Sequence, residues 1–284
     1  MTNLQPEIQI IGDSSLIHRI ASENKVDRII VALEERRGRL PTEELLKCRI
    51  EGISIEEGIA FYEFLTGKLL IEKAYPSFLI FSNGFTKSTY NRVMKTAMDL
   101  FIASIGLIIF LPIMALIALA IKIDSSGPIF YRQERQGKAA KTFMLLKFRS
   151  MNEDAEKETG PVWAQENDER MTRVGKIIRK IRLDELPQMI NVLRGDMSFV
   201  GPRPERSHFI KNLEDEIPFY EKRLSVKPGI TGWAQIEYPY GASKKDALEK
   251  LKYDLYYIKN MSLFFDIAIL FRTIRIVFFG RGAR

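Results

Sequence analysis

Cysteine is almost missing from this sequence. Cys48 is the single one in 284 residues, so no disulfide can close within the chain, and a reducing, cytoplasmic setting fits. Histidine is scarce too: His18 and His208 stand far apart with no ligand spacing around them, which argues against a zinc site. The opening residues lack the charged-then-apolar order of a secretory signal. Ile11-Gly12-Asp13-Ser14-Ser15 holds one glycine rather than the Gly-x-Gly-x-x-Gly that brings a pyrophosphate onto the backbone, so no dinucleotide is expected there. Negative charge runs short beyond Met94. Residues 1–94 hold 12 Lys/Arg against 13 Asp/Glu, and the remainder holds 31 against 23. A basic half suits nucleic acid, anionic lipid or a phosphorylated substrate, and charge alone does not choose among them. What is present is ordinary for a folded chain: 46% hydrophobic and 28% charged residues argue against disorder.

The first ninety residues alternate. Ile8 to Gly12 reads as a short strand and Ser14 to Glu23 as a helix. Arg28 to Leu33 is, after its arginine, an apolar run of the kind buried in parallel sheets. Pro41 opens a helix through Cys48, Ile53 to Ile55 forms a strand, and Glu56 to Leu65 a further helix. Such alternation predicts a small Rossmann-like α/β unit over residues 1–89, structural or regulatory, with a connector from about Leu70 to Thr89.

Leu100 to Ile121 then runs 22 residues without a charge, between Asp99 and Lys122, long enough to span a bilayer. Two features oppose simple spanning. Pro112 sits near the middle, where it removes a backbone hydrogen bond and bends a helix. Cations flank both sides, whereas a spanning helix gathers them mainly on one. A helix that enters, turns at Pro112 and leaves by the same face explains both; the residues alone leave spanning and re-entry about even. Val174, Ile177, Ile178 and Ile181 repeat at helical spacing among Arg173, Lys176, Arg179 and Lys180, the pattern of a helix lying on an anionic leaflet or on a core. Leu263 to Phe279 is apolar but carries Asp266, Arg272 and Arg275, which suit an interface better than a span. Nucleic acid would need stacking aromatics on a basic, soluble body, and an uncharged membrane stretch argues against it.

The stretch with most chemistry is Arg182-Leu183-Asp184-Glu185-Leu186-Pro187-Gln188. Pro187 fits a first helical turn, Asp184 an N-cap, and Gly195 a helix stop. Two carboxylates at a helix N-terminus, beside Arg179, Lys180 and Arg182, would stay ionised and sit where phosphate is attracted. Taken alone, the motif reads as no more than a cap. Around it stand Gly201-Pro202-Arg203-Pro204 and Lys227-Pro228-Gly229-Ile230-Thr231-Gly232, whose glycines could open backbone amides to an anion and whose Arg203 is held between prolines.

Taken in order, these motifs form one pattern. Lys95-x3-Asp99, the apolar segment with Pro112, Gly127-Pro128-Ile129-Phe130, Lys147-Phe148-Arg149-Ser150-Met151, Arg182 to Gln188, Ser198 to Pro204 and Lys227 to Gly232 follow one another as in a single family. The chain resembles the bacterial sugar transferases, the monotopic phosphoglycosyl transferases that initiate exopolysaccharide, capsule and O-antigen synthesis. The resemblance covers residues 90–284. It implies an α+β fold: a mainly helical monotopic catalytic domain with a re-entrant helix-break-helix at 96–122, preceded by the Rossmann-like unit. Larger members begin with several membrane helices, which this sequence does not show.

The implied activity is transfer of a hexose-1-phosphate from a UDP-sugar to undecaprenyl phosphate with release of UMP, in the presence of Mg²⁺, on the cytoplasmic face of the bacterial inner membrane. By position, Asp184 is the implied nucleophile, Glu185 its partner at the metal or the lipid acceptor, and both are the implied Mg²⁺ ligands. Arg179, Arg203, Lys147 and Arg149 are the implied substrate- or phosphate-binding cations, while Lys95, Asp99 and Pro112 serve the re-entrant helix. Many members place Ser before the proline, where Leu111 stands here. The other expected partners are membrane lipids and, as in larger relatives, a second copy as a homodimer. Two other readings are open from sequence: a hydrolase using water at the same site, and a catalytically silent membrane adaptor. The sugar is not legible.

Overall fold

A computed structural model describes residues 9–33, 40–71, 84–152, 170–238, 241 and 243–279. The chain divides into two compact units, Met1–Leu70 and Ile71–Arg284. Residues 72–83 of the expected connector, and Ile8 of the expected first strand, lie outside the described residues.

The first unit is built on one β-α-β crossover. Strands β1 (Arg28–Val31) and β2 (Ser54–Glu57) pair in parallel, from Arg28 opposite Ser54 to Val31 opposite Glu57. Helix α2 (Thr42–Ile50) connects them, α1 (Ile17–Glu23) precedes, and α3 (Gly58–Thr66) follows. The core is small: Ala21, Leu45, Cys48 and Leu69. Two expectations are corrected. Residues 9–13 form no strand; Ile10 and Ile11 are exposed, and Asp13 instead caps a 3-10 turn by accepting a hydrogen bond from Ser15 N. Ile30 is 38% exposed rather than buried, because among the described residues the sheet has two strands, and no further layer covers that face.

In the second unit, helix α4 (Thr89–Asp124) starts at Ser88, whose side chain accepts from Asn91 N. The expected helix-break-helix is not seen as a break. Residues 89–124 are helical throughout, with Pro112 inside the helix and without the backbone bond to Ile108 O. One face of α4 packs inward: Ala103 is buried, Gly106 lies against Met189, and Met114, Ile117 and Ile121 cluster with Phe148 and Ile178. Phe101, Ile105, Ile108, Ile109, Leu116 and Leu119 face outward. Both ends are fixed to the same unit. Near the start, Lys95 Nζ lies 2.7 Å from Asp266 Oδ2, and Asp99 Oδ1 accepts from Phe199 N at 3.0 Å. At the finish, Asp124 Oδ2 accepts from Val174 N at 2.9 Å.

Strands β3 (Phe130–Gln136) and β4 (Thr142–Phe148) form an antiparallel hairpin with Phe130 opposite Phe148. Helix α5 (Arg173–Lys180), a 3-10 turn at Leu183–Glu185, and helix α6 (Gln188–Arg194) come next. Gly195, in the left-handed region at φ 83°, ends α6 as expected. Short parallel strands β5 (Ser198–Val200) and β6 (Gly229–Thr231) bracket α7 (Ser207–Glu214) and a 3-10 turn at Tyr220–Ser225. Helices α8 (Trp233–Glu237), α9 (Lys244–Asn260) and α10 (Leu263–Phe279) complete the unit.

The amides of Gly201 and Gly229 are taken up within the protein rather than open to an anion. Gly229 N donates to Pro202 O, Gly201 N to Thr231 O, and Ser198 N to Pro228 O, so these amides hold the loops to each other. The glycines permit that approach: a Cβ on Gly229 would run into Gly201 N, and one on Gly201 into Lys227 O. Backbone on backbone leaves nothing that can swing away. Gly229→Ala is therefore expected to cost about 3 kcal/mol or more through overpacking, read as a drop in the thermal midpoint or loss of folded protein. An unchanged midpoint would contradict this packing.

Candidate active site

Asp184 and Glu185 sit side by side in the 3-10 turn, 5% and 8% exposed. The expected N-cap role is corrected: α6 begins at Gln188 after Pro187, and Asp184 caps nothing. The turn is set by Arg182 in the left-handed region at φ 56°, rare for a residue with a side chain and found where a site fixes the backbone. This reversal directs both carboxylates toward β4. There Lys147 Nζ lies 2.9 Å from Glu185 Oε1 and 4.0 Å from Asp184 Oδ2. From the Gly201–Pro204 loop, Arg203 Nη2 reaches Glu185 Oε1 at 2.8 Å. β4 is held to α6 by Asn191, fully buried, which accepts from Leu146 N at 3.0 Å and donates to Met144 O at 2.8 Å. Asn191 thus aims Lys147.

The two carboxylates differ in charge behaviour. Burial is the largest influence on Asp184 and pushes it upward; Lys147 opposes this, and the charge on Glu185 adds to it. Glu185 is equally buried, but Arg203, Lys147 and Arg182 outweigh burial and hold it well below the usual carboxylate range. One group is a firm anion; the other is strained by its surroundings. Asp184 Oδ1 is buried with no hydrogen-bond partner. Adjacent carboxylates driven apart in this way mark different roles in chemistry. The expectation that a helix end favours ionised Asp184 is replaced: burial raises its pKa, and Lys147 and, more weakly, Arg179 and Arg203 oppose that rise. Four cations around two carboxylates leave the site positive, ready for an anion.

The structure brings together Asp184, Glu185, Lys147 and Arg203, with Arg179 at the end of α5 near enough to act on Asp184. Arg149 is buried, and its Nε and Nη1 have no hydrogen-bond partner. Its Nη2 donates to the carbonyl and hydroxyl of Ser125, where α4 ends. Lys95 and Asp99 anchor α4, and Pro112 lies in its middle. Among the described residues no cluster of three or more His, Cys, Asp or Glu could hold a metal by itself. Mg²⁺ asks less, since it keeps waters and phosphate oxygens and takes one or two carboxylates. Asp184 and Glu185, with an oxygen of Asp184 left without a partner, fit that demand.

The profile of the family described as bacterial sugar transferase matches residues 90–280. A UDP-N-acetylgalactosamine-undecaprenyl-phosphate N-acetylgalactosaminephosphotransferase of Aeromonas hydrophila is 43% identical over 240 residues, 84% of this chain and 56% of that one. A UDP-glucose:undecaprenyl-phosphate glucose-1-phosphate transferase of Escherichia coli (strain K12) is 43% identical over 200 residues, 69% of this chain and 42% of that one. The exopolysaccharide production protein PSS of Rhizobium leguminosarum bv. phaseoli is 38% identical over 187 residues, 64% of this chain and 94% of that one. The chain spans about half the length of the first two. With the matched region holding Asp184, Glu185, Lys147 and Arg203, this chain belongs to the bacterial sugar transferase family.

Proposed function

We propose that this protein transfers a sugar-1-phosphate from a UDP-sugar to undecaprenyl phosphate and releases UMP. The observation that carries the reading is the Asp184–Glu185 pair: one carboxylate fixed by two cations, its neighbour keeping an unpartnered oxygen beside them. An Asp184 oxygen attacks the sugar-bearing phosphorus, the bond from that phosphorus to the bridging oxygen breaks, and UMP leaves with that oxygen. The resulting acyl phosphate keeps the phosphoryl group activated. A phosphate oxygen of the lipid then attacks the same phosphorus, forming a diphosphate and freeing the Asp184 carboxylate. Lys147, Arg203 and Arg179 offset the charge gathered as one anion approaches another. Bound Mg²⁺ would supply further shielding of the diphosphate, held by Asp184 and Glu185. The relatives' names, which specify UDP-sugars and undecaprenyl phosphate, support the substrates. The name of the Rhizobium relative supports a place in exopolysaccharide production, where loading the lipid carrier would be the first membrane step.

The lipid carrier requires a site at the membrane. The outward apolar residues of α4 would be unfavourable in water and suit hydrocarbon. Re-entry, rather than spanning, is supported by the anchoring of both α4 ends on one unit, through Asp266 and Phe199 at one end and Val174 at the other. Exposed Ile177 and Ile181 among the cations of α5, and exposed Phe264, Phe271 and Ile274 on α10, support contact with an anionic leaflet, as on the cytoplasmic face of an inner membrane. Cys48 is buried, so single cysteines introduced at Tyr90 and Ser125 report cleanly. Both are expected to react with a membrane-impermeant thiol reagent from the same side; labelling from opposite sides would make α4 a spanning helix.

The activity itself is tested with a panel of UDP-sugars and undecaprenyl phosphate. UMP release that needs the lipid supports transfer. Release without it would make the protein a hydrolase, and no release with any sugar would favour a silent adaptor.

A further inference from the structure

We propose that Arg223 and Asp254 are positioning residues that act on this reaction through Arg203, a role that rests on the transfer reading above. Neither touches the Asp184–Glu185 pair. Arg223 lies in the 3-10 turn Tyr220–Ser225, buried at 7% exposure, and Asp254 lies on α9 at 2%. The Arg223 guanidinium joins three pieces of chain. Its Nη2 donates to Arg203 O at 3.0 Å and to Asp254 Oδ2 at 2.9 Å, while Nη1 donates to Tyr220 OH at 2.7 Å.

The bond to Arg203 O matters because of what flanks it. Pro202 and Pro204 restrict the backbone on either side of Arg203, so fixing its carbonyl leaves the peptide plane little freedom. The same residue's guanidinium meets Glu185 at 2.8 Å. Orientation thus passes from Asp254 to Arg223, to the Arg203 backbone, and on to the Arg203 side chain at the site. The gap behind the loop, bounded by Arg203, Arg223 and Pro228, is about 10 Å³, room for a single water. That gap is too small for a substrate, and the link from Arg223 toward the site runs through the Arg203 carbonyl.

Asp254 makes the clamp sensitive to pH. Burial is the main influence on it, opposed by Arg223, and brings it up to about 6. The charged and titratable groups facing it are Arg223 and Tyr220 from the turn, Glu205 from the loop, and Lys250 from its own helix. Above about 6 Asp254 is an anion that orients Arg223; below it, a proton removes that partner.

In a membrane preparation of the full chain, Arg223→Lys is expected to lower kcat for UMP release by ~10–100-fold, the scale for lost outer partners of a site, with little change in the KM for UDP-sugar. The effect should vanish in an Arg203→Ala background, because both changes remove one orientation. Additive effects, or an unchanged kcat in folded Arg223→Lys, would overturn the proposal. Asp254→Asn provides the second variant should Arg223→Lys not fold. The ratio of wild-type to Asn rates cancels any titration of substrate, and should fall toward one as pH drops through about 6. A ratio independent of pH would count against the clamp. Should wild type release no UMP, the transfer reading fails by itself. The side-chain NMR signal of Arg203 then decides: it should broaden in Arg223→Lys, and an identical signal in both proteins would refute positioning.

Discussion

Asp184→Asn should abolish sugar-phosphate transfer while leaving the protein folded. The amide keeps the size of the carboxylate but cannot form the acyl phosphate, and loss of a nucleophile commonly costs 10⁴-fold or more in kcat, roughly. Stability should move the other way. Asp184 has its folded-state pKa raised by burial, so its ionised form opposes folding once pH exceeds the ordinary carboxylate value. A neutral amide removes that opposition. At neutral pH the thermal midpoint of Asp184→Asn should equal or exceed that of wild type, and a clearly lower midpoint would mean that the activity was lost through misfolding.

Glu185→Gln should lose both activity and stability. Here the folded-state pKa is depressed, so the ionised group stabilises the fold above its unfolded pKa, and that contribution disappears only as pH falls through the folded value. The substitution leaves Lys147 and Arg203, both partly exposed, facing each other without their anion. Breaking a fully buried pair costs about 3–5 kcal/mol, and the partial exposure of both cations brings the cost here below that range; displacing them from the reacting phosphate should lower kcat by a further ~10²–10³-fold. Thermal midpoints and UMP release on the same preparation check both halves. Equal behaviour of the two variants would contradict the division of labour between these neighbouring carboxylates.

Much of this was legible in the residues because the signals were local. The crossover of the first unit follows from Pro41 before a helix and from short strands at Arg28 and Ser54. The long apolar stretch and the stop at Gly195 were likewise readable at single positions. Lys147, Asp184, Glu185 and Arg203 were singled out and meet at one place. What sequence did not give is non-local. Gly201 and Gly229 look like anion-binding loops until their backbones are seen pressed together. Arg223 and Asp254 stand 31 positions apart, yet they are buried against each other. Asn191 looks like any helical amide, although it holds β4 in place. A helix N-terminus suggested an easily ionised Asp184, and burial in the turn reversed that influence. The run at residues 9–13 is apolar enough for a strand, but it has no neighbour to pair with among the described residues.

In the proposed chemistry the sugar phosphate rests on Asp184 between donor and acceptor. Purified protein incubated with UDP-sugar labelled in the sugar, without lipid, should retain label on the polypeptide. Hydroxylamine should release it, a peptide containing Asp184 should carry it, and added undecaprenyl phosphate should move it into lipid. Product formed at full rate with no label ever found on the protein would contradict the account.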